Sequence, residues 1–357
     1  MRRLFSLLIV GTFLFALRAD LPSQEEGKSE ARIEEVTEAQ ERAVEKAIDW
    51  LLKNQNNDGL WGCQKSGAPS AAITGLAILA LASTGSSPTK GPHAKPIRKA
   101  VERLLRVQSP SGQITLHDAT GIGIFYDHST ATLALAEIYG TLNQEDDNLR
   151  IRQGLEKAVE YLYRTQSPRD GGWDAQGSGG ASDLAITCSV WMALRSAHNA
   201  GVEVRNANVF KVEQFVRSCS MPRGGFAQTP SVMGGGGLLF YPTSAGLRIL
   251  YGMGHRDMEE VVRGTRVLVT RSIGQEHDGR ISEWDYCGAF YGVQALLHEG
   301  GKYWAEWYPK LRDHLLKIQN PDGSWTIEYC LCCKAYATAL ATLCLQAPKR
   351  MLPLFQL

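Results

Sequence analysis

Two stretches of this 357-residue chain carry reactive residue types at close spacing. Asp285-Tyr286-Cys287 sets a carboxylate two residues from a thiol, and Cys330-Leu331-Cys332-Cys333 adds three more thiols downstream. Thiolates with a carboxylate, in a tetrahedral set that keeps one position open, suit a catalytic zinc ion. Asp285, Cys287, Cys332 and Cys333 are therefore candidate metal ligands, and Asp285 is also a candidate catalytic group. The same cysteines could pair as disulfides or be small buried residues. In the second stretch, Tyr126-Asp127-His128, a carboxylate beside an imidazole offers an acid–base pair. Asp127 could equally cap a helix, with His128 on the surface.

A segment that returns six times must position these groups. Lys46–Gln55 runs into Asn56-Asn57-Asp58-Gly59-Leu60-Trp61, and Lys310–Gln319 runs into Asn320-Pro321-Asp322-Gly323-Ser324-Trp325. Further copies end at Gln108, Gln166, Cys219 and Ser272, so successive copies lie 47 to 58 residues apart. A fixed period of this size means repeated supersecondary units. In the first copy Val44, Ala47, Ile48, Leu51 and Leu52 follow the spacing of an amphipathic helix. The Asp-Gly that follows ends it, since glycine accepts the positive φ of a tight turn.

After each turn comes a second helix, poor in charge and rich in Ala, Leu, Ile and Thr: 70–82, 129–139, 183–197, 243–251, 288–298 and 335–346. Such segments read as buried. Outer amphipathic helix, turn and inner apolar helix, repeated six times, predict an all-α, six-fold (α/α) toroid built of two concentric rings. The N-termini of the inner helices then share one rim, which gathers Asp127, Asp183, Asp285, Cys287 and Cys332. The enclosed cavity would be lined by Thr74, Thr130, Trp191, Thr243, Phe290, Tyr291 and Tyr336, and would suit an apolar guest.

The pattern Lys/Arg-Ala-x-x-aromatic-x-x-x-x-Gln-x-x-x-Gly-x-Trp, met in full by Lys46–Trp61, resembles the QW repeat of squalene and oxidosqualene cyclases. Protein prenyltransferase β-subunits share that toroid, and the whole chain looks most like exported bacterial proteins with prenyltransferase and squalene oxidase repeats. The resemblance implies zinc at Asp285-x-Cys287, with a third ligand near Cys332 where the family has His. It implies an isoprenoid-like or other apolar ligand held by Trp191, Phe290, Tyr291 and Tyr336. Of the family's diphosphate contacts, only Arg280 remains as an anion contact, because Tyr241-Pro242-Thr243, Ser282 and Gly288 stand at the others. The Asp-x-Asp-Asp acid of the cyclases is missing, and Gln144-Glu145-Asp146-Asp147 lacks its first Asp. The expected function is thus an apolar-ligand protein with an Asp/Cys metal site at its rim. The alternatives are a non-catalytic scaffold for a protein or glycan, and a zinc-dependent prenyltransferase or terpene cyclase.

Arg2-Arg3 before the uncharged run 4–17 reads as a signal peptide over 1–19, with Ala16 or Ala19 near the cleavage point. Residues 20–35 read as a flexible linker and 36–357 as the toroid, so export to the periplasm or medium is expected. With 38 basic and 37 acidic residues, nothing favours a nucleic acid or an anionic surface as partner. No later segment is expected to cross a membrane.

Overall fold

Twelve helices, alternately amphipathic and apolar, make up the described part of the computed structural model. The described residues are 36–63, 67–116, 123–139, 145–230, 240–275, 279–328 and 334–356. The expected signal peptide and linker lie outside them, as do Cys330, Cys332 and Cys333. The inner helices are α2 (Ala71–Ala82), α4 (Ile124–Ile138), α6 (Leu184–Asn199), α8 (Phe240–Gly252), α10 (Glu283–Glu299) and α12 (Lys334–Gln346). Each packs on the next, and α12 packs on α2, which closes the inner ring. The outer helices are α1 (Glu38–Lys53), α3 (Ala94–Val107), α5 (Glu145–Thr165), α7 (Asn206–Ser218), α9 (Glu259–Leu268) and α11 (Gly301–Ile318). Each lies against the inner helix that precedes it around the ring, with α1 on α12.

Burial follows the residue types. Every residue of α2 is buried, whereas α3 buries only Ile97, Ala100, Val101 and Leu104, the stripe of an amphipathic helix. No helix among the described residues is long and apolar enough to cross a membrane.

The repeat motif is the joint between units. Gln55 Nε2 donates to Gly59 O (2.9 Å) in its own turn and to Pro96 O (3.0 Å) on the next outer helix. Gln108 links Gly112 O to Gly154 O in the same way, and Gln166 links Gly171 O to Asn208 O. Gln319 links Gly323 O (3.0 Å) to Ala43 O (2.8 Å), which sews the last unit to the first. The turn glycine must be glycine for two reasons. Gly323 sits at φ +89°, and a Cβ there would stand 2.5 Å from Lys46 O. The tryptophan then folds inward. Trp61, Trp173 and Trp325 donate Nε1–H to Leu51 O, Leu162 O and Leu315 O, at 2.7, 3.1 and 2.9 Å. The fourth and fifth copies lack the glutamine. There Arg263 donates to Pro222 O (3.3 Å) and Trp307 Nε1 donates to Arg271 O (2.8 Å).

In a closed ring the last junction equals an internal one. Gln319→Leu should therefore cost about 1–3 kcal/mol, because it strands two carbonyls, and Gln166→Leu should cost a similar amount. Chemical denaturation of both variants measures this. A Gln319→Leu protein as stable as wild type would show that the seam is held some other way.

Candidate functional site

The rim carboxylates are held by backbone N–H groups. Asp285 closes a capping box on α10: its oxygens accept from Gly274 N (2.8 Å), Ser282 N (2.8 Å) and Ser282 Oγ (2.6 Å), while Ser282 Oγ accepts from Asp285 N. Asp183 caps α6 through Ala185 N and Ile186 N and takes a further bond from Gln228. Asp127 reaches across to the neighbouring helix. It accepts from Ser70 Oγ and Ala72 N, both at 2.8 Å, at the start of α2, and from Thr115 Oγ1 and Leu116 N at longer range. Burial raises the Asp127 and Asp183 carboxyls above their ordinary value, against the pull of these bonds.

His128 is buried rather than exposed, and it forms no acid–base pair with Asp127. Its Nδ1 accepts from Ile114 N (2.9 Å), so the proton lies on Nε2, which donates to Ala158 O (3.2 Å). Burial pushes it down to about 4, so it is neutral at physiological pH. The other repeats explain its place. Thr74 Oγ1 accepts from Trp61 N, Thr187 from Trp173 N, Thr243 from Phe226 N and Thr338 from Trp325 N, at 3.0 to 3.1 Å. His128 does for the second repeat what threonine does in these four. Thr74 and Thr243, expected in a cavity wall, are also these ties.

On the axis, Cys287 is fully buried and bonds to Tyr126, Tyr291 and Tyr336. The hydroxyls of Tyr126 and Tyr336 are 3.1 Å apart, and Tyr291 donates to Ala185 O at 3.3 Å. Burial pushes the Cys287 thiol up to about 11, against the pull of the three hydroxyls. It is a thiol at neutral pH, and thiolate is the form that binds metal. Among the described residues no three His, Cys, Asp or Glu side chains converge as a metal set. Of the expected zinc ligands, Asp285 thus closes the α10 capping box and Cys287 is buried among tyrosines. Cys332 and Cys333 lie outside the described residues. Cys188, Cys219, Cys287 and Cys344 are free thiols.

Among the described residues open volume lies at both ends of the ring: about 430 Å³ at the rim, beside Phe125, Tyr161, Trp173 and Asp174, and more at the other end, where the inner helices finish. A hollow of about 610 Å³ is lined by Trp191, Leu194, Val209, Tyr251, Met253 and others from α6, α7 and the end of α8. Beside it a more polar chamber of about 450 Å³ shares Trp191, Arg195, Gly252 and His298 and adds Arg248, Asn199 and Leu354. The C-terminal segment roofs this end. In its 3₁₀ turn Pro353–Phe355, Leu354 N donates to Glu137 Oε2 (2.9 Å) and Phe355 meets Phe290 edge to face.

A sequence model of the prenyltransferase alpha-alpha toroid domain matches residues 29–172 and 120–334. The chain belongs to the prenyltransferase alpha-alpha toroid family. The type II terpene cyclase MstE from Scytonema, as a variant in complex with geranylgeranyl dihydroxybenzoate, superposes with a TM-score of 0.61 at 14% identity, over 88% of this chain and 98% of that one. An inactive variant of the α-1,6-mannanase of Salegentibacter, in complex with α-1,6-mannotriose, gives 0.60 at 8% identity, over 87% and 98%. A protein from Actinoplanes gives 0.56 at 17% identity, over 87% and 99%. These likenesses concern the fold. No curated protein matches the chain.

Against this prenyltransferase toroid the expected ligand contacts divide. Phe290, Tyr291 and Tyr336 are at most 2% exposed and pack on one another's neighbours rather than facing a hollow. Arg280 is exposed, beside the rim. Of these contacts only Trp191 lines a described hollow, at the end opposite the rim. Arg248 and Glu137 escaped the sequence reading, although a lone Arg and a lone Glu inside charge-poor helices were the available signal.

Iodoacetamide at pH 8 should leave Cys287 unmodified in the native protein and label it on unfolding, as peptide mass spectrometry reads. Glu137 allows a pH test. Its carboxyl accepts from Ser196 Oγ (2.7 Å) and Leu354 N, and burial raises it from 4.5 to about 7. Because the folded value is the higher one, its contribution is full below about pH 4.5 and is lost as pH rises through about 7. Glu137→Gln stays neutral and should gain stability relative to wild type by ~1–3 kcal/mol between pH 5 and pH 8. Urea melts at the two pH values check this.

Proposed function

We propose that the protein binds an apolar or amphipathic, isoprenoid-like small molecule and does not transform it at the ring axis. One observation carries this reading. Asp127, Asp183, Asp285 and His128, the rim groups expected from the sequence to move a proton, are all engaged in holding backbone N–H or C=O groups. A general acid or base needs a proton-accepting atom that can reach the substrate. The 610 Å³ hollow instead carries the chemistry of an amphipathic binding site, with Trp191, Leu194, Val209, Tyr251 and Met253 on its walls beside Arg195, Glu213, His255 and His298.

The terpene cyclase likeness, with its isoprenoid-bearing substrate, supports an isoprenoid guest, and the mannanase likeness keeps a glycan as the competing one. A zinc-dependent prenyltransferase or cyclase gains no support from the described residues. On the strength of Arg2-Arg3 and the uncharged run 4–17, the protein does its work outside the cytoplasm.

Farnesol and α-1,6-mannotriose are the probes, read by native mass spectrometry and calorimetry. Farnesol should bind one to one, and Val209→Glu and Met253→Glu should each weaken it roughly tenfold or more by charging the wall. Mannotriose binding without farnesol binding would transfer the reading to a glycan scaffold. Zinc analysis of protein purified without chelator should find no stoichiometric metal. One zinc per chain, lost in Cys287→Ala, would overturn the non-catalytic reading.

A further inference from the structure

Arg248 stands in the least expected place for a cation, on an inner helix and 4% exposed. Its Nε donates to Gln294 Oε1 (2.8 Å), and Gln294 is itself fixed by donating to Phe290 O (3.0 Å). The guanidinium lies 5.0 Å from the centroid of the Trp191 ring. Gly252 makes this packing possible. A Cβ there would stand 2.0 Å from Trp191 Cη2 and 2.7 Å from Arg248 Nη1. Nη1, beside that glycine, is buried and has no hydrogen-bond partner. Gly252, Trp191 and Arg248 are all walls of the 450 Å³ chamber, so the side chain that carries the unpartnered donor borders a space large enough for a ligand.

The described walls of that space carry Arg195, Arg248 and His298 and no carboxylate. Burial, with Arg248, Arg256, Arg195 and Arg350 nearby, holds the His298 imidazole low, and Arg256 is itself paired with Glu299 (3.7 Å). The nearest carboxylate with a resolved influence on Arg248 is Glu137, whose oxygens already accept from Ser196 Oγ and Leu354 N. An unpaired buried guanidinium is costly unless an acceptor reaches it, and its planar fork matches carboxylate and phosphate oxygens.

We propose that this chamber is an oxyanion site, in which Arg248 Nη1 and Arg195 receive the carboxylate or phosphate head of a ligand whose apolar stem lies in the adjoining 610 Å³ hollow. Trp191, shared by both spaces, stacks between head and stem. The proposed binding of an amphipathic guest is assumed for the stem only; the head site stands on Arg248 and its surroundings.

Octyl phosphate, octanoate, octanol and inorganic phosphate separate the possibilities by calorimetry. Octyl phosphate and octanoate should bind roughly tenfold or more tightly than octanol, and that preference should vanish in Arg248→Met and in Arg195→Gln, while octanol binding stays. Arg195 is exposed, so its variant decides the matter if Arg248→Met fails to fold. Octanol binding as tightly as the anions, or a preference that survives Arg195→Gln, would overturn the oxyanion site and leave the apolar hollow standing. If no octyl probe binds, the apolar reading fails instead. Inorganic phosphate then decides alone: Arg195-dependent binding keeps the oxyanion site and no binding removes it.

Discussion

The glutamine amide at the end of an outer helix is the bond on which this ring depends. One side-chain N–H₂ group spans the carbonyl of its own turn and a carbonyl of the next outer helix, at Gln55, Gln108, Gln166 and Gln319. An amide nitrogen carries two donors, so a single residue can satisfy both acceptors and fix the angle between units. Repeat proteins are held by nearest-neighbour interfaces, and an open array leaves two of them unmade at its ends. Here the Gln319–Ala43 bond makes the last interface equivalent to the others. The turn glycine and the inward tryptophan only work at that spacing: the glycine lets the backbones approach, and the indole covers the seam.

Closing the ring dictates what the rim residues can do. Six inner helices present their N-termini to one end, each with backbone donors that no turn of the helix can satisfy. With the helices packed side by side, water reaches few of those donors. Asp183 and Asp285 answer within their own helices and Asp127 answers for its neighbour. A carboxylate near a helix N-terminus is thus doubly ambiguous in a toroid, since the position that concentrates an acid for catalysis is the one that most needs an acceptor for folding. Here each of the three carboxylates already accepts from two or more donors.

The sequence announced the architecture because its signals are local. Period, amphipathic stripe, turn glycine and tryptophan all lie within sixteen residues, as in Lys46–Trp61. The site was harder to see because its meaning depends on register between repeats. His128 stands fourteen residues after Ile114, as Thr187 stands fourteen after Trp173, and that alignment marks it as a tie. Read alone beside Asp127, the same imidazole looked catalytic. Cys287 was read as a metal ligand because of Asp285, yet of the three tyrosines around it only Tyr291 shares its helix, while Tyr126 and Tyr336 come from α4 and α12. Long-range neighbours of this kind set the protonation of a thiol and leave no mark in its own segment.

Arg248 and Glu137 show the converse, a local oddity whose meaning is tertiary. Each interrupts an apolar helix, and each could be replaced by a hydrophobic residue of similar volume with a neutral or favourable effect on stability, as is common for buried ionic groups. Glu137 has a structural role, since it ties α4 to α6 and to the C-terminal turn. Arg248 has no such complete set. One nitrogen is held by Gln294, the ring face of Trp191 supports the plane, and Nη1 is left over toward the chamber. A side chain fixed at two points with a third donor unused is preorganised for an acceptor that comes from outside. The proposed oxyanion site therefore stands at the end where the inner helices stop, opposite the rim on which the sequence reading centred.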